Sequence, residues 1–163
     1  MSISDPKAVL SREPRILVLG YGNPGRQDDG LGPAVAAGID GLGWPNITAY
    51  DNYQLNIEDA LEVAEHDVVW FVDAAKAGPA PYDVSDLSPA SSIEFTSHIT
   101  RPEAILAIAP PVLWKVATAF LLAIRGYQFE FVEELTVGAS DNLRVALKML
   151  TDKIRTSCVP VTP

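Results

Sequence analysis

Asp29, Asp73 and His98 are the side chains of this 163-residue chain whose types and positions suit metal chemistry. Asp29 ends the acidic pair in Gly20-Tyr21-Gly22-Asn23-Pro24-Gly25-Arg26-Gln27-Asp28-Asp29-Gly30-Leu31-Gly32. A glycine-rich loop between a strand and a helix often holds phosphate on helix N-terminal amides. Two adjacent carboxylates would repel that anion and suit a cation instead. Adjacent residues point different ways, so only one of the pair is expected to face a site. Asp29 is assigned as that ligand, with Asp28 a substrate contact or general base. Asp73 directly follows the apolar run Val68–Val72. A carboxylate at the end of a buried strand is costly unless it is paired or ligated. Its alternatives are a helix cap or a bond to loop amides, and the alternative for His98 is a plain surface-loop histidine. Two carboxylates and an imidazole suit nickel, zinc, iron or cobalt. Three protein ligands leave coordination positions open, as in working rather than structural sites.

For three such distant residues to meet, the chain between them must form a parallel sheet. Arg15–Leu19 and Val68–Val72 read as continuous apolar runs of strand length, hence buried central strands. Ile47–Tyr50 is a short second strand, Tyr82–Leu87 another, and Val116–Ile124 the last. Between them, Leu31–Ile39 reads as a helix with Pro33 in its first turn, stopped at Gly41-Leu42-Gly43. Asn56 is the expected cap of a second helix, with Glu58 and Asp59 in its first turn. Ala60, Leu61 and Ala64 form its apolar face up to His66, which is given no chemistry. Thr100-Arg101-Pro102-Glu103 fits a capping box ahead of a helix through Ile105, Leu106 and Ile108, stopped by Pro110-Pro111. Ser140–Ile154 reads as an amphipathic helix with Leu143, Ala146, Leu147 and Leu150 on one face. Strands alternating with helices predict an α/β three-layer sandwich, a twisted, mostly parallel sheet of about five strands with helices on both faces. In such sheets, sites form outside the carboxyl ends of the strands; Asp29 and Asp73 fall there, and His98 joins them if Ser91–Phe95 runs extended along the same edge.

Composition narrows the partners. Apolar residues make up 48% of the chain, enough for a substantial core, and the net charge is −9. That balance argues against nucleic acid or an anionic membrane surface and allows a metal cation or a basic partner. The single cysteine, Cys158, cannot form an intrachain disulfide, and a reducing, cytoplasmic setting is expected. The segment 1–14 has no apolar core of a secretory signal and, with 156–163, reads as a flexible tail around one domain spanning 15–155.

Two look-alikes compete for the opening motif. Gly20, Gly22 and Gly25 satisfy G-x-G-x-x-G, and Asp51 follows the second strand, as in a dinucleotide-binding fingerprint. Pro24 removes an amide from that loop, and the two carboxylates oppose a pyrophosphate. The loop also resembles peptidyl-tRNA hydrolase, but Arg26–Gly32 holds none of the histidine that family needs.

Taken together, Gly20-x-Gly22-Asn23, Asp28-Asp29-Gly30-x-Gly32, Val72-Asp73-Ala74 and His98 ahead of a helix resemble the hydrogenase maturation endopeptidases, from Arg15 to about Ile154. The resemblance implies a twisted sheet between helices, metal contact by Asp29, Asp73 and His98, and cleavage of a C-terminal extension from the large-subunit precursor of a [NiFe] hydrogenase. It implies nickel carried by that substrate rather than held by the protease, with zinc or another divalent ion able to occupy the site in vitro. Many members carry a Gly-Thr turn after the second strand, where this chain has Asp51-Asn52-Tyr53-Gln54-Leu55-Asn56. That segment reads as a subgroup marker, and Gln54, like Asn23, is a candidate substrate contact. A metallohydrolase with resident zinc, a dinucleotide-binding module and a non-enzymatic nickel carrier are the rival readings.

Overall fold

The computed structural model describes residues 13–91, 101–109 and 117–158. His98, Thr100 and the Pro110-Pro111 stop lie outside the described residues, as do most of the two expected tails. The chain forms one five-stranded sheet in the order β2-β1-β3-β5-β4. Its strands are β1 (Ile16–Tyr21), β2 (Ile47–Asn52), β3 (Val68–Ala75), β4 (Tyr82–Leu87) and β5 (Thr118–Arg125). All neighbours run parallel except β4, which pairs antiparallel with β5. Among the described residues four α-helices accompany the sheet: α1 (Leu31–Asp40), α2 (Asp59–Ala64), α3 (Pro102–Ile108) and α4 (Val137–Cys158).

Side-chain alternation along the strands divides the core in two. Ile16, Val18, Trp70, Val72, Leu122 and Ile124 face one way, against Leu31, Val35 and Ile39 of α1 and Ala146, Leu150 and Ile154 of α4. Leu17, Leu19, Tyr21, Val69 and Phe71 face the other way, against Ala60 and Val63 of α2 and Ile105 and Leu106 of α3. The three-layer expectation therefore holds. Because α1 returns the chain over one face and α2 over the other, β1 and β3 flank a topological switch point. A crevice is expected there, outside the carboxyl ends of both strands.

Local differences from the sequence reading have local causes. Strand β3 does not stop at Asp73: it runs on to Ala75, because β5 continues to pair with it from Asp73↔Ala123 to Ala75↔Arg125. On the other side β1 has its last partner at Gly20↔Val72. Asn56 does not cap α2; its amide instead donates to the Asp59 carboxylate at 2.7 Å. That buried carboxylate also accepts from the Tyr50 hydroxyl and the Asn52 side chain, each at 2.9 Å, tying the end of β2 to the helix. Leu61 is 64% exposed, since Ala60 and Val63 form the inward face. Arg101 stands at the N-cap of α3. Helix α4 starts three residues before Ser140 and runs on through Cys158, so residues 156–158 are helix rather than tail. His66 is buried with Nδ1 2.6 Å from the Glu62 carbonyl, a helix-end contact and no more.

Candidate active site at the carboxyl edge of the sheet

The glycine spacing of the opening motif has a steric cause. A Cβ on Gly20 would lie 2.0 Å from the Gly32 carbonyl oxygen, and one on Gly32 would lie 2.5 Å from the Val72 oxygen. The first turn of α1 is thus wedged against the ends of β1 and β3 with backbone touching backbone. Between them, Pro24–Gly30 forms a 3-10 turn, kinked at Arg26 and Gln27, instead of opening a helix. Gly22 has φ +139°, and its Cβ would strike the Asp29 carbonyl at 2.1 Å.

This turn splits the acidic pair. Asp29 remains half-buried at the crevice, its Oδ2 accepting from the Asn23 amide at 2.7 Å. Asp28 points inward and is fully buried. Its carboxylate accepts from the Tyr127 and Gln128 amides at 2.7 and 3.0 Å, and from the Thr136 amide and hydroxyl at 2.9 and 2.8 Å. Burial alone would raise its pKa; those four donors outweigh it and hold the carboxyl below the ordinary value. Fully buried and accepting from four donors, Asp28 clamps the β5–α4 loop instead of facing outward as the expected substrate contact or general base would. Asn23 likewise uses its side-chain oxygen internally, accepting from the Gly25 amide at 2.9 Å. Gln54 is exposed in the loop after β2.

Asp73 shares a sheet face with Val69 and Phe71, and so with Tyr21. Burial pushes its carboxyl up to about 6, the nearby charge of Asp29 adds to that, and the Ala74 amide at 2.8 Å and the Tyr21 hydroxyl act against it. Asp29, in the turn after β1, and Asp73, near the end of the neighbouring β3, stand at the same carboxyl edge of the sheet, where the charge of Asp29 acts on Asp73. Burial, then the charge of Asp73 and more weakly that of Glu103, raises the Tyr21 hydroxyl well above its usual range. Two acids, Asp73 and Glu103, therefore act on one tyrosine, and Asp29 acts on Asp73 in turn. Tyr21 and Glu103 were not singled out from sequence as site residues. Tyr21 has the same strand parity as the core residues Leu17 and Leu19, and Glu103 reads as a helix-start carboxylate, so neither carries a signal of its own. Among the described residues, no three His, Cys, Asp or Glu side chains gather around one point fit for an ion. Asp29 and Asp73 supply two oxygen donors, and the third expected donor, His98, is outside the described residues.

No protein-family model matches the chain, and no curated protein matches it. Solved structures do. The [NiFe] hydrogenase maturation protease HycI from Thermococcus kodakarensis KOD1 superposes with a TM-score of 0.67 at 18% identity, over 91% of this chain and 97% of its own. The hydrogenase maturating endopeptidase HybD from E. coli gives 0.66 at 20% identity, over 88% and 93%. The hydrogenase 2 maturation peptidase from Thaumarchaeota archaeon SCGC_AB-539-E09 gives 0.62 at 19%, over 86% and 98%. The chain has the fold of the hydrogenase maturation proteases. Within that maturation-protease fold, the Asp29–Asp73 crevice lies at the β1/β3 switch point, and α3 begins four residues after His98 on the face that carries Tyr21 and Asp73.

Proposed function

We propose that the chain is an endopeptidase that removes the C-terminal extension of a [NiFe] hydrogenase large-subunit precursor after nickel insertion. The observation that carries this reading is the pairing of Asp29 and Asp73 at one half-buried crevice of this fold. Two half-buried acids at one edge repel each other unless one takes up a proton or a cation joins them, and the nickel of the substrate is that cation in this reading. Nickel arrives as part of the substrate, bound to thiolates near its cleavage point. Asp29, Asp73 and His98 add ligands to it and so align the substrate tail. Binding energy then depends on the metal, and cleavage becomes a check on its insertion. Hydrolysis adds water across the peptide bond, with the hydroxyl going to the carbonyl carbon and a proton to the departing amine. Zinc or another divalent ion can take nickel's place in vitro. The net charge of −9 fits a cationic or basic partner rather than nucleic acid. Among the described residues no helix is long and apolar enough to cross a membrane, and we assign the reaction to the cytoplasm.

The test is incubation with a large-subunit precursor, with and without nickel, read by intact mass. The wild-type chain is expected to shorten only the nickel-loaded precursor. Asp73→Asn, Asp29→Asn and His98→Gln should fold normally by circular dichroism and cleave at least ~100-fold more slowly. Normal processing by Asp73→Asn would overturn the ligand assignment.

A further inference from the structure

The loop between β5 and α4 is built outward. Phe131 is 87% exposed, Val137 at the start of α4 81%, and Tyr127 and Val132 about half exposed. Single apolar residues on a surface are ordinary; a contiguous set on one ordered loop marks an interaction surface. This loop is ordered by strong bonds. Besides the four donors on the buried Asp28 carboxylate, the Gln27 amide donates to the Val132 carbonyl at 2.7 Å and the Asp28 amide to the Gln128 carbonyl at 3.1 Å. The Arg26 guanidinium lies 5.3 Å from the Phe131 ring centre, supporting one face of the ring and leaving the other to solvent. Glu130, Glu133 and Glu134 flank Phe131 in sequence, all exposed, and none forms an ion pair among the described residues, while the cations of this region, Arg26, Lys76 and Arg125, lie over the rings of Phe131, Phe129 and Tyr127.

We propose that residues 127–137 are the docking surface for the folded body of the protein substrate, through an apolar patch on that partner rimmed by lysine and arginine. This rests on the protease reading above. Charge complementarity selects the occupant: three unpaired glutamates flanking an exposed aromatic residue fit a basic rim with an apolar centre. A second copy of the chain is disfavoured, since each carries a net charge of −9 and the same three glutamates. The surface is also fixed to the site. Gln27 and Asp28, which hold the loop, immediately precede Asp29, and Gln27 is kept at φ +56° between the two. A partner seated on the loop is therefore held in register with the crevice.

The experiment compares wild type with Phe131→Ser/Val137→Ser and with Glu133→Gln/Glu134→Gln, using the nickel-loaded precursor. Binding is measured by interferometry and cleavage by intact mass, each at two salt concentrations. All substituted side chains are exposed, so melting temperatures should match wild type. The apolar double variant should raise KM and Kd ~tenfold with kcat within twofold. The glutamine variant should flatten the salt dependence of binding. Variants that cleave with unchanged KM and salt dependence overturn the docking surface and leave the protease reading intact. A wild-type chain that binds the precursor through this loop but never cuts it overturns the protease reading alone, and one that neither binds nor cuts overturns both. A wild-type dimer, dissociated by Phe131→Ser in sedimentation, would assign the surface to self-association instead.

Discussion

Asp28 and Asp29 are adjacent, yet one is an internal clamp and the other a site residue. The cause is the kink at Arg26 and Gln27, which turns consecutive side chains to opposite sides of the 3-10 turn. The roles separate in stability measurements. Asp28→Asn keeps the shape of the side chain but loses the charge that four donors converge on. It should cost about 2 kcal/mol at pH 7, read by urea denaturation. The folded pKa of Asp28 lies below its ordinary value. Its contribution is therefore present above the unfolded carboxylate value near 3.8 and is lost as pH falls through the lower folded value. The gap between variant and wild type should accordingly narrow as pH is lowered toward 3. A gap independent of pH would mean that charge is not what the clamp uses. At this scale the sequence divided the acidic pair but could not give Asp28 its role as a clamp: nothing in Gln27-Asp28-Asp29 announces a positive φ at glutamine.

The elements meet without side chains at one point, where α1 enters against β1. Gly20→Ala would drive a Cβ into backbone at 2.0 Å, where no rotamer can relieve it. It should destabilise the chain by at least about 3 kcal/mol or prevent folding, measured by soluble yield and thermal melting. Gly38→Ala, inside α1, is the contrast. Its Cβ would meet only the flexible end of Leu147 at 2.8 Å, and alanine favours a helix. Stability there should stay within about 1 kcal/mol of wild type. The same contacts explain why a spacing that matches a dinucleotide fingerprint recurs here: the glycines allow the helix to approach the sheet. Elements with strong patterns, β1, β3, α1 and α4, were legible to within four residues at each end. The start of α2 was not, because a tertiary network on Asp59 with Tyr50 and Asn52 replaced the local cap at Asn56.

Across the whole molecule the sheet separates two cores that share strands but not side-chain layers. Leu150 is fully buried under α4 on one face and Ile105 under α3 on the other. Leu150→Ala and Ile105→Ala should each cost about 2–5 kcal/mol. Together they should cost their sum to within about 0.5 kcal/mol, provided the double variant still folds cooperatively in denaturant. A large coupling would show that the faces communicate through the sheet. The sequence by itself determined the alternation of strands and helices, the parallel architecture, and Asp29 and Asp73 as residues at its carboxyl edge. Hydrophobic period and glycine spacing are local properties, written directly along the chain. Only the tertiary structure decided that Asp28 turns inward, that Tyr21 and Glu103 belong to the same acidic neighbourhood as Asp73, and that residues 127–137 stand out as a held, exposed surface. Each of those depends on groups distant in sequence meeting in space, and no pattern of spacing within one segment encodes such a meeting.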